Sequence, residues 1–141
     1  DLYYDEFGKP HLNDGKHISI SHSKDFSMIV LSNANIGADI EIVKDKVLKI
    51  AHKYMDVSHL LNLSKEEELK KATVVWGIKE SVFKLKNEVG ISFKDHIFED
   101  EFMIADKKCE VELRFNSKIE NFDIIFDFIE NYAFVCAFKS V

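Results

Sequence analysis

The sequence has few arginines, prolines and glycines, and each scarcity excludes a class of protein. Arg114 is the only arginine among 19 basic residues, and 25 acidic residues bring the net charge to −6. Readers of duplex DNA or RNA depend on arginine contacts and a basic surface, so we do not expect nucleic acid as a partner. One proline and five glycines, beside 46% hydrophobic and 31% charged residues, exclude collagen-like and disordered chains.

Long apolar runs and cysteine clusters are also missing. The longest apolar run, at 132–138, is far shorter than the roughly 20 residues of a membrane-spanning helix, and no basic-then-apolar leader opens the chain. Cys109 and Cys136 lie in alternating apolar stretches without a CxxC pattern, which predicts buried, reduced thiols and no zinc site. We therefore expect a cytoplasmic protein without a membrane anchor.

Turn signals and apolar periodicity divide the 141 residues into the elements of one domain. Positions 1–16 are rich in turn-forming residues, which predicts a loop or linker. Ser64 and Glu67 form a capping-box pattern, which predicts a long helix to about Asn87, with Gly90 available to end it. The other predicted elements are an amphipathic helix over 44–55 and strands over 18–21, 26–32, 36–43, 93–98, 101–105, 109–115, 122–128 and 132–138. This mixture predicts an α+β fold with a mainly antiparallel sheet packed against the long helix.

The strand predicted over 36–43 has one apolar and one acidic face. Asp39 and Glu41 are two residues apart, so their side chains leave the same face about 7 Å apart, close enough to share one cation. A solvated polar face on an antiparallel strand has the same pattern. The strand alone therefore leaves a cation site and a bland surface open.

Glu80 and Lys84 lie one turn apart on the long predicted helix, and Trp76 lies one turn before Glu80. An ordinary ion pair on a solvated helix face has this spacing. The tryptophan, however, indicates that this side is partly covered. At the edge of a covered face, Glu80 could bind a cation and Lys84 the oxygens of a metal-bound phosphate.

Polar groups in two turns are further candidates. Ser21, His22 and Ser23 offer hydroxyl and imidazole groups suited to a phosphate, although a lone surface histidine is commoner than a functional one. Gly8-Lys9-Pro10 is by itself only a turn signal. The glycine-rich phosphate loop, the HExxH helix and the GxSxG elbow are absent from the sequence.

Three segments together resemble the 4'-phosphopantetheinyl transferases, particularly the type that activates surfactin synthetase. They are F-G-K-P at 7–10 leading to I-S-I-S-H-S at 18–23, I-G-A-D-I-E at 36–41, and W-G-I-K-E-S-V-F-K at 76–84. Their order and approximate spacing are similar to the family over about residues 3–95. The family usually has a branched residue where Ala38 stands, and this alternation places Ala38 on the inner face, where the difference concerns packing.

The resemblance implies transfer of the phosphopantetheine arm of coenzyme A to a serine of an acyl or peptidyl carrier protein, with release of 3',5'-ADP. Such reactions serve fatty acid, polyketide or nonribosomal peptide biosynthesis. Glu80 is implied to activate the serine, and Lys84 to neutralise charge on the pyrophosphate. The residues implied to bind Mg2+ are Asp39, Glu41 and Glu80, and those implied to contact coenzyme A are Lys9, Ser21, His22 and Lys84.

Members of this family usually contain two similar halves, and coenzyme A binds between them. The sequence departs from this pattern. The F-G-K-P segment normally follows the first half, and here it lies almost at the start. We therefore expect residues 1–141 to form a single domain that is the second half of such a pseudo-dimer, with most of the first half missing. Two alternatives are a non-catalytic module that binds coenzyme A or carrier protein and a Mg2+-dependent phosphohydrolase that uses the same acids.

A lysine-rich face could serve the carrier protein. Lys46, Lys49 and Lys53 gather on one side of the helix predicted over 44–55. Carrier proteins are commonly acidic, so this face is a candidate docking surface despite the net charge of −6. A merely solvated lysine face is the alternative.

Overall fold

The computed structural model of the chain describes residues 1–140 and contains antiparallel sheets and one long helix. The helices are α1 (Lys46–Lys49) and α2 (Lys65–Lys86), and short 3-10 turns cover Ala51–Lys53, Val57–Leu60 and Ile104–Asp106. The strands are β1 (Leu2–Tyr4), β2 (Pro10–Leu12), β3 (His17–His22), β4 (Ser27–Ser32), β5 (Ile36–Ile42), β6 (Ile97–Glu99), β7 (Lys108–Phe115), β8 (Lys118–Ile129) and β9 (Tyr132–Lys139). The predicted α+β fold is confirmed.

A five-stranded antiparallel sheet in the order β5-β9-β8-β7-β6 forms the main layer. Helix α2 packs across one face of this sheet, because strands β7, β8 and β9 each turn alternate apolar residues toward it. The shared core includes Val75, Ile78 and Val82 of the helix and Phe122, Ile124 and Val135 of the strands. The sheet therefore supports α2 along most of its length.

The hairpin of β3 and β4 forms a second, smaller sheet on the opposite face of β5. Met28 and Val30 of β4 pack against Ile36, Ala38 and Cys136. This apolar contact confirms that Ala38 lies on a packed face. The acidic face of β5 consequently turns toward α2.

Helix α2 begins and ends with the local signals that its sequence carries. Ser64 accepts a hydrogen bond from the Glu67 N–H, and the Glu67 carboxylate accepts one from the Ser64 N–H, so the capping box is confirmed. Asn87 adopts a left-handed conformation with φ 53° and ends the helix before Gly90 is reached. Among the described residues, no helix combines the length and apolarity needed to cross a bilayer.

Four predicted elements differ in the structure. The single helix expected over 44–55 is broken after one turn at Ile50, and a 3-10 turn then carries Ala51 and Tyr54 into the core. The predicted loop at 1–16 contains the β1–β2 hairpin. Backbone hydrogen bonds of Asp5 with Gly8 and Lys9 close the turn between the two strands. The strands expected over 93–98 and 101–105 reduce to β6 and a 3-10 turn, because two buried lysines of α2 hold this segment through Glu99 and Glu101.

The cysteines are free thiols in separate parts of the sheet. Cys136 is buried and Cys109 is partly buried. Burial raises the pKa of the Cys109 thiol to about 12, so the thiol is protonated at neutral pH. The prediction of buried thiols is confirmed for Cys136, whereas Cys109 is only partly buried.

Two glycines allow α2 to approach the sheet closely. A Cβ on Gly37 of β5 would lie 1.9 Å from the backbone oxygen of Ser81, and a Cβ on Gly77 of α2 would lie 2.7 Å from Val135 Cγ2. Both distances are shorter than a non-bonded contact of a Cβ atom allows. The helix could not lie at its observed distance from β5 if a side chain stood at Gly37.

Replacement of Gly37 by alanine tests this close approach. We expect Gly37→Ala to lower the free energy of unfolding by about 2–3 kcal/mol, because the methyl group meets rigid backbone. The comparison variant is Gly8→Ala, where a Cβ meets nothing within 4 Å. Its positive φ of 83° makes alanine unfavourable by only about 1 kcal/mol. Urea denaturation measures both, and equal losses would contradict the steric explanation.

Candidate functional site

The acidic face of β5 meets the polar edge of α2. Asp39 and Glu41 project from β5 toward the helix that carries Glu80 and Lys84. The Lys84 ammonium donates hydrogen bonds to Asp39 Oδ1 at 3.1 Å and to the Ala38 carbonyl oxygen at 3.0 Å. Both contacts run from helix to strand. The two acidic residues of β5 therefore do not form a solvated strand face, and Lys84 does not form an ordinary surface ion pair.

Asp39 is the most enclosed member of this group, with 4% of its surface exposed. Its Oδ1 atom accepts hydrogen bonds from Lys84 and from the Ser21 hydroxyl at 3.2 Å. Its Oδ2 atom is buried without a hydrogen-bond partner in the structure. A buried carboxylate oxygen without a partner is strongly unfavourable, so this atom is suited to receive a cation or a donor from a ligand.

The Ser21 hydroxyl donates one hydrogen bond and accepts another. The Oγ atom donates to Asp39 Oδ1 and accepts the Ile40 N–H at 3.0 Å, while Ser19 Oγ accepts the Ala38 N–H at 2.9 Å. The two serines attach β3 to β5 where the strands have no backbone ladder. In this structure Ser21 orients the Asp39 carboxylate.

The three carboxyl groups perturb one another. Burial raises the pKa of Glu41 to about 9, with Asp39 and Glu80 adding to the shift and Lys84 opposing it. Burial and the charge of Asp39 also raise the pKa of Glu80, against the effect of Lys84. One ammonium is therefore too little positive charge for three carboxylates, which is the condition under which a divalent cation binds favourably.

Residues 1–140 contain no group of three or more His, Cys, Asp or Glu side chains arranged so that it could hold a metal ion. The carboxylates nevertheless have suitable donor chemistry, because Mg2+ prefers oxygen ligands and commonly takes one or two carboxylates with waters and substrate phosphates. The unpartnered Asp39 Oδ2 is the atom best suited to this role. The residues fit a cation whose shell a ligand completes.

Trp76 packs in an aromatic cluster, which agrees with the prediction that this side of the helix is partly covered. Its ring packs edge to face against Tyr54 at 5.1 Å and against Phe93 at 5.3 Å between ring centroids. This aromatic cluster lies one turn before Glu80 on α2 and keeps part of the helix surface dry. The carboxyl of Glu80 therefore lies at the border between a packed and an open region.

Lys9 and His22 lie on segments next to the carboxylates. The Lys9 ammonium donates to Asn35 Oδ1 and to the Leu85 carbonyl oxygen, each at 3.1 Å, at the carboxyl end of α2. Burial lowers the pKa of Lys9, and Asp5 opposes the shift. His22 is exposed at the end of β3.

A cavity of about 170 Å3 lies between these segments, beside Lys84. The F-G-K-P loop forms one wall, and apolar residues of β3 and the end of α2 form the others. Its lining residues are Phe7, Gly8, Lys9, Pro10, Ile18, Ser19, Ile20, Phe83, Lys84 and Asn87. Lys9 and Lys84 of the predicted site therefore line this cavity. The other predicted site residues, Ser21, His22, Asp39, Glu41 and Glu80, do not line it.

Two polar groupings were not found from the sequence. The Lys79 ammonium is 1% exposed and donates to Glu99 Oε1 at 2.8 Å, to the Phe93 carbonyl oxygen at 2.9 Å and to the Ile97 carbonyl oxygen. Asp5 accepts hydrogen bonds from its own loop and from Asn87. A D-x-x-G turn signal at 5–8 was available for Asp5, but its partner is 82 residues away.

Comparison with known proteins gives one significant relative. The chain is 30% identical over 82 residues to the 4'-phosphopantetheinyl transferase gsp of Aneurinibacillus migulanus. The match covers 56% of this chain and 35% of that protein, so the chain matches about a third of its relative's length. No family model matches the chain. The match supports the resemblance to phosphopantetheinyl transferases at the level of the superfamily and of a general transferase role.

The raised pKa of Glu41 predicts a stability that depends on pH. The folded state keeps a proton that the unfolded chain releases near the ordinary value of 4.5, so the free energy of unfolding falls as pH rises from there toward about 9. We expect Glu41→Gln to weaken this dependence, leaving the part that comes from the raised pKa of Glu80, and to gain stability relative to the wild type at the alkaline end. Urea denaturation across this range, with divalent ions chelated, measures the effect.

The control for this prediction is Glu6→Gln, which makes the same change at an exposed turn position. Its profile should follow that of the wild type. Parallel profiles for Glu41→Gln and the wild type would show that Glu41 titrates alike in the folded and unfolded chains.

Proposed function

We propose that this chain takes part in the transfer of the phosphopantetheine arm of coenzyme A to a serine of an acyl or peptidyl carrier protein. The observation that supports the proposal best is the buried Asp39 carboxylate, which is paired with Lys84 and has one oxygen without a partner. All three matching segments meet there, because Ser21 and Lys84 both donate hydrogen bonds to Asp39. The similarity to a transferase of this name adds independent support.

The proposed donor site joins the cavity to the carboxylates. Lys9 and His22 would contact the nucleotide end of coenzyme A, and the loop at 7–10 would line it. Because the Ser21 hydroxyl already serves Asp39 and Ile40, we assign Ser21 to orienting Asp39 and leave phosphate contact to His22. Lys84, at the mouth of the cavity, would face the pyrophosphate.

The proposed metal ligands are Asp39, Glu41 and Glu80. When bound, Mg2+ would supply charge neutralisation on the pyrophosphate oxygens. The protein side chains would hold the carboxylates close together, and the partly dry surroundings of Glu80 would strengthen their field. A cation would also stabilise the ionised forms of Glu41 and Glu80, whose pKa values are raised in its absence.

The proposed reaction is a phosphoryl-type displacement. The serine oxygen of the carrier forms a bond to the phosphorus that bears the pantetheine arm, and the bond from that phosphorus to the bridging oxygen breaks. 3',5'-ADP leaves with the electron pair of that bond. The serine proton passes to Glu80, directly or through water, and Lys84 offsets the negative charge on the leaving group.

Substitution of Glu80 and Lys84 tests the proposal. Glu80→Gln keeps the shape of the side chain but removes the proton acceptor, so transfer should fall by at least ~100-fold. Lys84→Ala should lower both coenzyme A affinity and rate. The assay incubates the full chain with coenzyme A, Mg2+ and an apo carrier protein and weighs the carrier by mass spectrometry.

The matched control is Lys70→Ala, another lysine of α2, whose partner Glu66 lies 3.1 Å away on the exposed face. Lys86 of α2 is not a suitable control, because its ammonium is bound to Glu120 at 2.8 Å. Near-normal transfer by Glu80→Gln, or equal effects at Lys84 and Lys70, would refute the site. Binding of coenzyme A without any transfer would favour a binding module of the same fold.

The lysines around α1 are the proposed carrier-docking surface. Lys46, Lys49 and Lys53 are exposed and follow β5, the strand that carries Asp39 and Glu41. Helix α1 is a single turn, so Lys46 and Lys49 lie on this turn and Lys53 lies on the 3-10 turn that follows it. Their local positive charge would attract an acidic carrier although the chain carries a net charge of −6.

Reversal of these three charges tests the docking surface. Lys46→Glu, Lys49→Glu and Lys53→Glu together should raise the KM for an acidic carrier about tenfold or more at low salt, and added salt should shrink the difference. The KM for coenzyme A should not change. An unchanged carrier KM across salt concentrations would place docking elsewhere on the surface.

A further inference from the structure

The carboxylate of Asp5 organises the loop that forms one wall of the cavity. Its Oδ1 atom accepts the Phe7 N–H at 2.9 Å and the Lys9 N–H at 3.0 Å. The backbone adds two bonds within the same turn, from the Gly8 N–H to the Asp5 carbonyl oxygen and from the Asp5 N–H to the Lys9 carbonyl oxygen. One carboxylate oxygen thus fixes the shape of the loop.

The second carboxylate oxygen of Asp5 joins the loop to other elements. Asp5 Oδ2 accepts a hydrogen bond from Asn87 Nδ2 at 2.7 Å and contacts His11 Nε2 of β2 at 2.9 Å. Asn87 is the residue that ends α2, and it adopts a left-handed conformation there. The bond between Asp5 and Asn87 therefore ties the loop to the end of the helix that carries Glu80 and Lys84.

The walls of the cavity lie on the two sides of this bond. Phe7, Gly8, Lys9 and Pro10 belong to the loop, whereas Phe83, Lys84 and Asn87 belong to the end of α2. A change in the distance between loop and helix end changes the width of the 170 Å3 cavity directly. Lys9 makes the other link to this helix end, through the Leu85 carbonyl oxygen, but its ammonium belongs to the proposed binding site.

We propose that Asp5 is a positioning residue, which holds the 7–10 loop against Asn87 at the distance that binding of the coenzyme A nucleotide requires. This inference rests on the proposed function. Asp5 would act on the KM for coenzyme A and leave the chemistry at Glu80 unchanged. Asp5 lies outside the three segments that resemble the phosphopantetheinyl transferases.

Two substitutions break the bond from opposite sides. Asp5→Asn keeps an oxygen for the loop N–H groups but turns an amide toward the amide of Asn87, so donor faces donor. Asn87→Gly removes the donor and suits the left-handed conformation, so the helix should still end normally. The control is Asp14→Asn, which changes an aspartate that accepts only the Lys16 N–H, at 3.0 Å, in the turn before β3.

We expect each of the two variants to raise the KM for coenzyme A about tenfold, the scale of losing one charged hydrogen bond, with kcat within about twofold of the wild type. The double variant should be no worse than Asp5→Asn alone, because both substitutions remove the bond between Asp5 and Asn87 and only Asp5→Asn also alters the other contacts of the carboxylate. Asp14→Asn should behave as the wild type. Unchanged KM values, additive effects or a fall in kcat alone would overturn the proposal.

Hydrogen exchange separates this inference from the proposed function. The amides of Phe7 and Lys9 should exchange faster in Asn87→Gly than in the wild type, whether or not coenzyme A binds. Unchanged protection of these amides would overturn the positioning role. If calorimetry finds no coenzyme A binding to the wild type, the proposed donor site is refuted. The exchange data would still show whether the Asp5–Asn87 hydrogen bond orders the loop.

Discussion

The close contact between α2 and β5 is the constraint on which the site depends. Gly37 lets the backbone of β5 lie against Ser81 of the helix, and Gly77 lets the helix lie against β9. At this distance the acidic face of β5 cannot be solvated, so Asp39 becomes a buried carboxylate opposite a lysine. A chain with side chains at the two glycines would separate these charges and lose the mutual influence of the carboxyl groups.

The two buried polar groups that contact α2 differ in how well their charges are matched. The cluster of Asp39, Glu41 and Glu80 has a single ammonium partner in Lys84, whereas the buried Lys79 of α2 forms an ion pair with Glu99 of β6. The first grouping leaves Asp39 Oδ2 unpartnered, whereas the Lys79 ammonium has acceptors in Glu99 and two carbonyl oxygens. The Lys79 network holds the helix to the sheet, and the carboxyl cluster keeps an excess of acidic groups.

Local signals predicted the elements that local interactions form. The capping box at Ser64 and the strands predicted over 18–21, 26–32, 122–128 and 132–138 follow from neighbouring residues, and all of them agree with the structure. The helix expected over 44–55 and the strand expected over 101–105 fail because burial of Tyr54 and ion pairs from α2 bend these segments. The spacing of Asp39 and Glu41 indicated a shared face, but only the fold could show which element covers it.

Strand β5 is the end strand of its sheet, and such strands usually present free N–H and C=O groups on which a foreign chain can add a strand. Here the hydroxyls of Ser19 and Ser21 accept the N–H groups of Ala38 and Ile40. A foreign strand could pair with these positions only after the β3–β4 hairpin had been displaced. The serine that orients Asp39 thus also occupies an N–H group on the sheet edge with which another strand could otherwise pair.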